Sequence, residues 1–279
     1  MDTASPSRYP RVLSIAGSDS GGGAGIQADL KTFAALGCFG MTAITALTAQ
    51  NTRGVRSIHA VPLQILSDQI DAVVEDIGVD AVKIGMLHSA DTVRTVAAAL
   101  QRHQLRTVVL DPVMIATSGA VLIDTDAVAV LVRELFPLAR LVTPNLDEAA
   151  HLVGRQLESE ADMEAAARQL LAMGAPAVLV KGGHLAGDTV SDLLLAEGGA
   201  PVWMRDARIA TINSHGTGCT LSSAIAARLA LGDALRDAVQ RARAFVRGAL
   251  QAGAGVRTGG GNGPLNHGFA PEAMRVLAS

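Results

Sequence analysis

Short apolar runs recur along the chain with little polar alternation, at residues 12–16, 41–47, 81–84, 107–110, 141–143 and 177–180. They are rich in Val, Leu and Ile. Strands buried on both faces look like this, as in a parallel sheet covered by helices. Between them lie segments of helical period and length, at residues 26–36, 62–77, 91–101, 124–135 and 160–173. The alternation predicts repeated βαβ units and an α/β fold. Residues 189–211 read differently, as shorter antiparallel strands around a Gly198-Gly199 turn. Two long helical patterns come next, at 220–231 and 234–252, and then a glycine-rich loop at 258–265. No internal repeat or Pro/Ser-rich linker interrupts the pattern. It predicts one domain over residues 1–279, with residues 1–10 as a flexible extension.

Composition narrows the function classes. With 279 residues, 49% of them hydrophobic, the chain can bury a full core. Its 26 acidic and 23 basic side chains leave a net charge of −3, which argues against nucleic-acid and membrane-surface partners. The two cysteines, Cys38 and Cys219, give neither a disulfide framework nor a metal-ligand pairing. The first residues lack a signal-peptide apolar core. The uncharged stretch 32–52 is broken by Gly, Thr and Gln and does not read as a membrane span. A soluble cytoplasmic protein is expected. Glycine is abundant, at 29 residues, and aromatics are only 3%. Most glycines sit at the ends of apolar runs, where helix-on-sheet layers need tight turns.

In open parallel sheets, ligands bind outside the carboxyl ends of the strands. The segments at the carboxyl ends of the runs are the loop Gly17–Gly25, then Thr48–Asn51, Gly85-Met86, Asp111-Pro-Val113, Pro144-Asn145 and Lys181-Gly-Gly183. Glycine alone would fit plain turns. Lys181, Asp111, Gln50 and Asn145 reaching one edge together point instead to a site. The Gly17–Gly25 loop lacks the dinucleotide G-x-G-x-x-G register and has no Walker Gly-Lys-Ser/Thr. It does permit close approach of backbone to a ligand.

Three further segments carry candidate chemistry. In the helix predicted from Ile26, the positions Ile26, Leu30, Phe33 and Leu36 share a face, and Asp29 projects onto it. A carboxylate on an apolar stripe must be hydrogen-bonded; it either caps something internally or reads a polar ligand, and the ligand reading is favoured. Asn145 and Glu148 fit a capping box. They also fit an amide and carboxylate organising Mg²⁺ near phosphates; taken alone, the capping reading is the stronger. Residues 213–220, Asn-Ser-His-Gly-Thr-Gly-Cys-Thr, open a predicted helix. Gly216 and Gly218 leave backbone N–H groups unobstructed at a positive dipole end, which suits a phosphate. Cys219 in that turn is expected to have its thiol pKa lowered by the helix N-terminus. His184 and His215 read as local structural or rim residues.

The motifs together identify a resemblance. The chain resembles the hydroxymethylpyrimidine/phosphomethylpyrimidine kinases of the ribokinase-like superfamily, from Ser14-Ile-Ala-Gly17 to Pro264-Leu-Asn-His267. The shared motifs are Gly23-Ala-Gly-Ile-Gln-Ala-Asp-Leu-Lys31, Ala49-Gln-Asn51, Lys83-Ile-Gly-Met86, Asp111-Pro-Val-Met114, Thr143-Pro-Asn145, Lys181-Gly-Gly-His184 and His215-Gly-Thr-Gly-Cys-Thr220. The resemblance implies a three-layer α/β/α fold with a mostly parallel central sheet flanked by helices. It implies two successive ATP- and Mg²⁺-dependent phosphorylations, of 4-amino-5-hydroxymethyl-2-methylpyrimidine and then of its monophosphate, in thiamine biosynthesis. Carried over by position, Asp29 and Gln50 bind the aminopyrimidine, and Gly17, Met86 and Val113 line its pocket. Lys181 approaches the ATP phosphates. Asp111 and Glu148 act in the Mg²⁺–phosphate region with Asn145 nearby, and Gly216, Thr217, Gly218 and Cys219 form the anion hole. Cys219 takes or orients the substrate hydroxyl's proton. A homodimer is expected.

The chain departs from the family pattern at Asp19-Ser-Gly-Gly-Gly23, where many members have Asp-Pro-Ser-Gly-Gly. It departs also at Thr117, where many have Lys, and at Ser214-His-Gly216, where Thr-His-Gly is usual. The runner-up reading is a pyridoxal kinase of the same superfamily. A non-catalytic pyrimidine sensor is disfavoured by Lys181, Glu148 and Cys219 occurring together, and a nicotinamide oxidoreductase by the missing fingerprint.

Overall fold

The computed structural model describes residues 7–114 and 122–278. Its strands are β1 (Ser7–Arg8), β2 (Arg11–Ala16), β3 (Phe39–Ile44), β4 (Ala46–Asn51), β5 (Gly54–Ala60), β6 (Ala81–Ile84), β7 (Val108–Leu110), β8 (Leu141–Val142), β9 (Ala177–Val180), β10 (Thr189–Ala196), β11 (Val202–Ala207) and β12 (Leu277–Ala278). Its helices are α1 (Gly25–Ala35), α2 (Leu63–Asp76), α3 (Ala90–Arg102), α4 (Thr125–Leu135), α5 (Leu146–Val153), α6 (Glu160–Ala172), α7 (Thr217–Ala230) and α8 (Leu235–Gly253). No helix among the described residues is long and apolar enough to cross a membrane.

The central sheet has eight strands in the order β11-β10-β9-β8-β7-β6-β2-β3. β3, β2, β6, β7, β8 and β9 run parallel, and β10 and β11 close the far edge antiparallel. Alternation along each strand divides the core between the two faces. Leu13, Ile15, Val82, Ile84 and Val108 pack with α2, α3, α4 and α6. Val12, Ala81, Val109, Leu141 and Leu179 pack with α1, α7 and α8. This is the expected three-layer arrangement, and it puts the loops after β2, β6, β7, β8 and β9 on one edge.

Several details differ from the sequence reading. The apolar run 41–47 is not one strand. Thr45 breaks it: its N–H donates to Ala16 O at 3.0 Å and its hydroxyl to Met86 O at 2.7 Å. The chain therefore leaves the main sheet at Thr45, and β4 pairs with β5 in a separate two-stranded ribbon. β5 has no counterpart among the predicted elements; it is partly exposed, so its apolar alternation is weak. α5 is foreshadowed only by the Asn145–Glu148 capping box, since eight residues are too few for a helical period to stand out by themselves. α7 begins three residues earlier than the pattern suggests, because the glycine turn itself is already helical at Thr217. The N-terminal extension is held from Ser7 onward. β1 pairs with β12, and Arg8 and Arg11 both bind Asp80, with N–O distances of 2.6 and 3.0 Å.

Candidate active site

Two helices start side by side at the centre of the loop edge. Gly216 caps α7 with φ +83°, in the left-handed region that glycine adopts without strain. A β-carbon there would also collide with the Gly23 carbonyl. The turn after β11 is thus pressed against the loop that opens α1. The N–H groups of Gly218 and Cys219, in the first turn of α7, meet no protein acceptor among the described residues. In front of Gly218 stand Lys181 Nζ and Asp111 Oδ2, 3.3 and 3.7 Å from where a β-carbon would lie.

Asp19 organises the glycine loop. Its carboxylate accepts from the N–H groups of Gly21, Gly23 and Ala24 at 2.8–3.0 Å. His215 Nε2 lies 2.8 Å from the same carboxylate. Burial pushes the Asp19 carboxyl up, but the His215 and backbone hydrogen bonds outweigh it and hold the group below the ordinary carboxylate range. His215 is buried, in keeping with a structural reading, and it ties two distant loops together.

Lys181, Asp111, Glu148 and Asn145 converge at the ends of β7, β8 and β9. Asn145 and Lys181 form a parallel bridge just beyond the strands. Lys181 Nζ is 2.7 Å from Asp111 Oδ1 and 3.8 Å from Glu148 Oε2. Asp111 is further held by Thr143 at 3.2 Å and Ser222 at 3.3 Å. Asn145 and Glu148 form a complete capping box on α5, each side chain bonded to the other's backbone N–H at 2.8 Å. Burial pushes the Glu148 carboxyl up to about 7, against the pull of Lys181. No cluster of three His, Cys, Asp or Glu side chains among the described residues makes a metal cage. Two carboxylates around one lysine fit an ion that arrives on nucleotide phosphates and keeps most of its waters.

Gly17, Met86 and Val113, the residues expected to line a pocket, lie close together in the structure. Met86 packs with Ala46 and Leu122, with Ile58 and Val113 against them, in a small cluster apart from the two main cores. A β-carbon on Gly17 would strike the end of Met86, so glycine there keeps the wall flat. Gln50 stands on β4, its amide oxygen 3.3 Å from Thr48 Oγ1 and its amide nitrogen 3.4 Å from His215 Nε2.

Two expectations are corrected. Asp29 does not face ligand space. It has no exposed side-chain surface, and its oxygens accept from Ser14, Ser223 and Lys83 at 2.6, 2.6 and 3.0 Å. The internal alternative for this residue is what the fold adopts. Nor is the Cys219 thiol activated by its helix N-terminus. Burial pushes it up to about 11, with Asp29 and Asp111 adding to the rise. Lys83 and a hydrogen bond from the Gly25 N–H pull it down without prevailing. Thr117 lies outside the described residues.

The family model for phosphomethylpyrimidine kinase matches residues 19–266. The chain belongs to the phosphomethylpyrimidine kinase family. It is 54% identical over 257 residues to a hydroxymethylpyrimidine/phosphomethylpyrimidine kinase of Rhizobium meliloti, covering 92% of this chain and 96% of that one. A thiamine biosynthesis bifunctional protein of Geobacter sulfurreducens is 53% identical over 270 residues, or 96% of this chain. The chain spans 54% of that longer protein. Among solved structures, a Clostridium difficile phosphomethylpyrimidine kinase is 41% identical, with a TM-score of 0.76 over 86% of this chain and 99% of that one. A Staphylococcus aureus pyridoxal kinase in complex with AMP-PCP and pyridoxal is 34% identical, with a TM-score of 0.86 over 94% of each chain. The superfamily fold is shared by both groups of kinases.

Within this family member, sequence reasoning passes over Lys83, Asp19 and Ser223. Lys83 carries a visible signal, a cation inside a four-residue strand buried on both faces. Asp19 and Ser223 carry none, because Asp in a glycine loop and Ser in a helix are ordinary until the fold packs them.

Proposed function

We propose that this chain, as one domain, transfers phosphoryl groups from ATP to 4-amino-5-hydroxymethyl-2-methylpyrimidine and then to its monophosphate, in thiamine biosynthesis. Membership of a kinase family makes it a phosphotransferase. The observation that carries the reading is the meeting of the Gly218 and Cys219 N–H groups, which have no acceptor among the described residues, with Lys181 at one point.

Phosphoryl transfer depends on positioning and charge neutralisation more than on covalent help. The Gly216–Cys219 turn offers preorganised donors to the moving group, and Lys181 brings a cation to the same place. Mg²⁺, held near Asp111 and Glu148 with Asn145 fixing Glu148, would neutralise phosphate charge. Gln50 presents both an amide donor and acceptor to a ring edge, beside the flat wall of Gly17, Met86 and Val113. Aminopyrimidine has a matching edge. With its thiol protonated at neutral pH, Cys219 orients the substrate hydroxyl rather than standing ready as a base. A homodimer and a cytoplasmic location complete the proposal. Exposed Leu47, Leu63 and Ile65 on β4 and α2 support pairing.

The test is ADP release with hydroxymethylpyrimidine and with pyridoxal, separating mono- and diphosphate products. Formation of both pyrimidine products, with pyridoxal the poorer substrate, is expected. Turnover of pyridoxal alone would overturn the reading in favour of the vitamin B6 enzymes, which its structural neighbours include.

A further inference from the structure

On the face of the sheet covered by α1 and α7, the apolar pair Val12 and Ala81 is succeeded one step along by Ser14 and Lys83, which are register partners. Lys83 has no exposed side-chain surface, and neither has its partner Asp29. Asp29 lies one turn beyond Gly25, where α1 begins. Ser223, which also binds Asp29, lies one turn beyond Cys219 in α7. The buried pair therefore sits one turn behind the two helix N-termini that meet at the anion hole.

A buried ion pair adds little to stability, because desolvation cancels most of its attraction. Its sign relative to those N-termini matters more. A lone carboxylate behind them would oppose their positive dipole ends and repel an incoming phosphoryl group. Lys181 makes no ion pair with Asp29; its carboxylate neighbours are Asp111 and Glu148. We propose that Lys83 is a positioning residue of the phosphoryl site, whose ammonium cancels the Asp29 charge so that α1 and α7 together present a positive field to the transferring group. The inference rests on the kinase reading above and adds a residue to it.

Cys219 supplies an internal reporter. The charges acting on its thiol are Lys83 from β6, Asp29 from α1, Asp111 after β7 and Lys181 after β9, together with the Gly25 N–H. Lys83 is the largest of the influences drawing the thiol down.

The experiment compares wild type, K83Q and K83Q/D29N. Gln keeps a hydrogen-bond donor for Asp29 but removes the charge; the double variant restores neutrality. Two quantities are read: kcat/KM with ATP and hydroxymethylpyrimidine, and the rate of Cys219 alkylation by iodoacetamide, assigned by peptide mass to separate it from Cys38. In K83Q, kcat/KM falls about 100-fold and alkylation about tenfold, and the double variant recovers about tenfold in turnover and most of the alkylation rate. Wild-type turnover and alkylation in K83Q overturn the proposal, as does a double variant no better than K83Q. Should K83Q fail to fold, the neutral double variant decides: it must turn over within about tenfold of wild type, and a larger loss in a folded protein refutes the idea. Alkylation needs no turnover, so its order across the variants judges Lys83 even if the pyrimidine proves to be the wrong substrate.

Discussion

His215 Nε2 lies 2.8 Å from an Asp19 carboxylate oxygen, joining residues 196 positions apart in the chain. Through this contact the loop after β2 and the turn before α7 hold each other in place. Asp19 fixes the first loop through the Gly21, Gly23 and Ala24 amides, and His215 belongs to the second.

Breaking that contact should loosen both loops. In H215A the Asp19 carboxylate loses one partner and keeps its backbone donors, which costs about 1–2 kcal/mol of stability. Thermal unfolding and KM for ATP check this, and an unchanged KM would show that the two loops stay ordered independently. The pH sense comes from the lowered Asp19 value: its contribution is present above the ordinary carboxylate range and is lost as pH falls through its folded value. D19N should therefore show a flatter acid limb than wild type.

Gly216→Ala tests the turn itself. The backbone there is left-handed and a β-carbon meets the Gly23 carbonyl. Strain of at least ~1–3 kcal/mol is expected, with turnover lowered far more than the melting temperature suggests, because the donors of Gly218 and Cys219 move with the cap. Full activity in this variant would place the anion hole elsewhere.

Cys219→Ala separates the two phosphorylations. The first acts on a neutral hydroxyl that the thiol must orient; the second acts on a phosphomonoester that already carries a nucleophilic oxyanion. Loss of about 10²-fold in the first step and a much smaller loss in the second is expected. Equal losses in both would make the thiol a packing element of the turn.

His267 gives a second pH signature. It is buried, with Nε2 2.9 Å from Thr220 Oγ1, and burial pushes its pKa down from 6.5 to about 4. Between these values the unfolded chain binds a proton that the folded one refuses, so stability is full above pH 6.5 and declines toward pH 4. The decline amounts to about 3 kcal/mol. Denaturant titrations of wild type and H267Q across this range should show the wild-type slope flattened in the variant.

Much of this architecture is legible in the apolar runs, because strands buried on both faces are continuous in Val, Leu and Ile, and residues 177–180 form β9 as expected. The run 41–47 misleads because the residue that splits it, Thr45, is a good strand former whose hydrogen bonds depend on Ala16 and Met86. At the site, Lys181, Asp111 and Asn145 come together because each lies just beyond a parallel strand, which order along the chain already implies, and the Asn145 capping box brings Glu148 of α5 with them. Asp29 stands out in the sequence as a carboxylate on an apolar stripe, but the ligand reading aims it the wrong way. Its partners Ser14, Lys83 and Ser223 come from three separate elements, and only packing joins them. For Cys219 the dipole argument loses to desolvation, which local sequence does not reveal.

The β4–β5 ribbon carries Gln50 on an appendage that the eight-stranded sheet does not need for its own hydrogen bonding. Substitutions on that ribbon can therefore accumulate, residue by residue, while the Gly216–Cys219 turn and Lys181 stay bolted to the framework. With the ribbon reading the acceptor ring as proposed above, a lineage built this way can change the molecule it recognises without having to reinvent how it moves phosphorus.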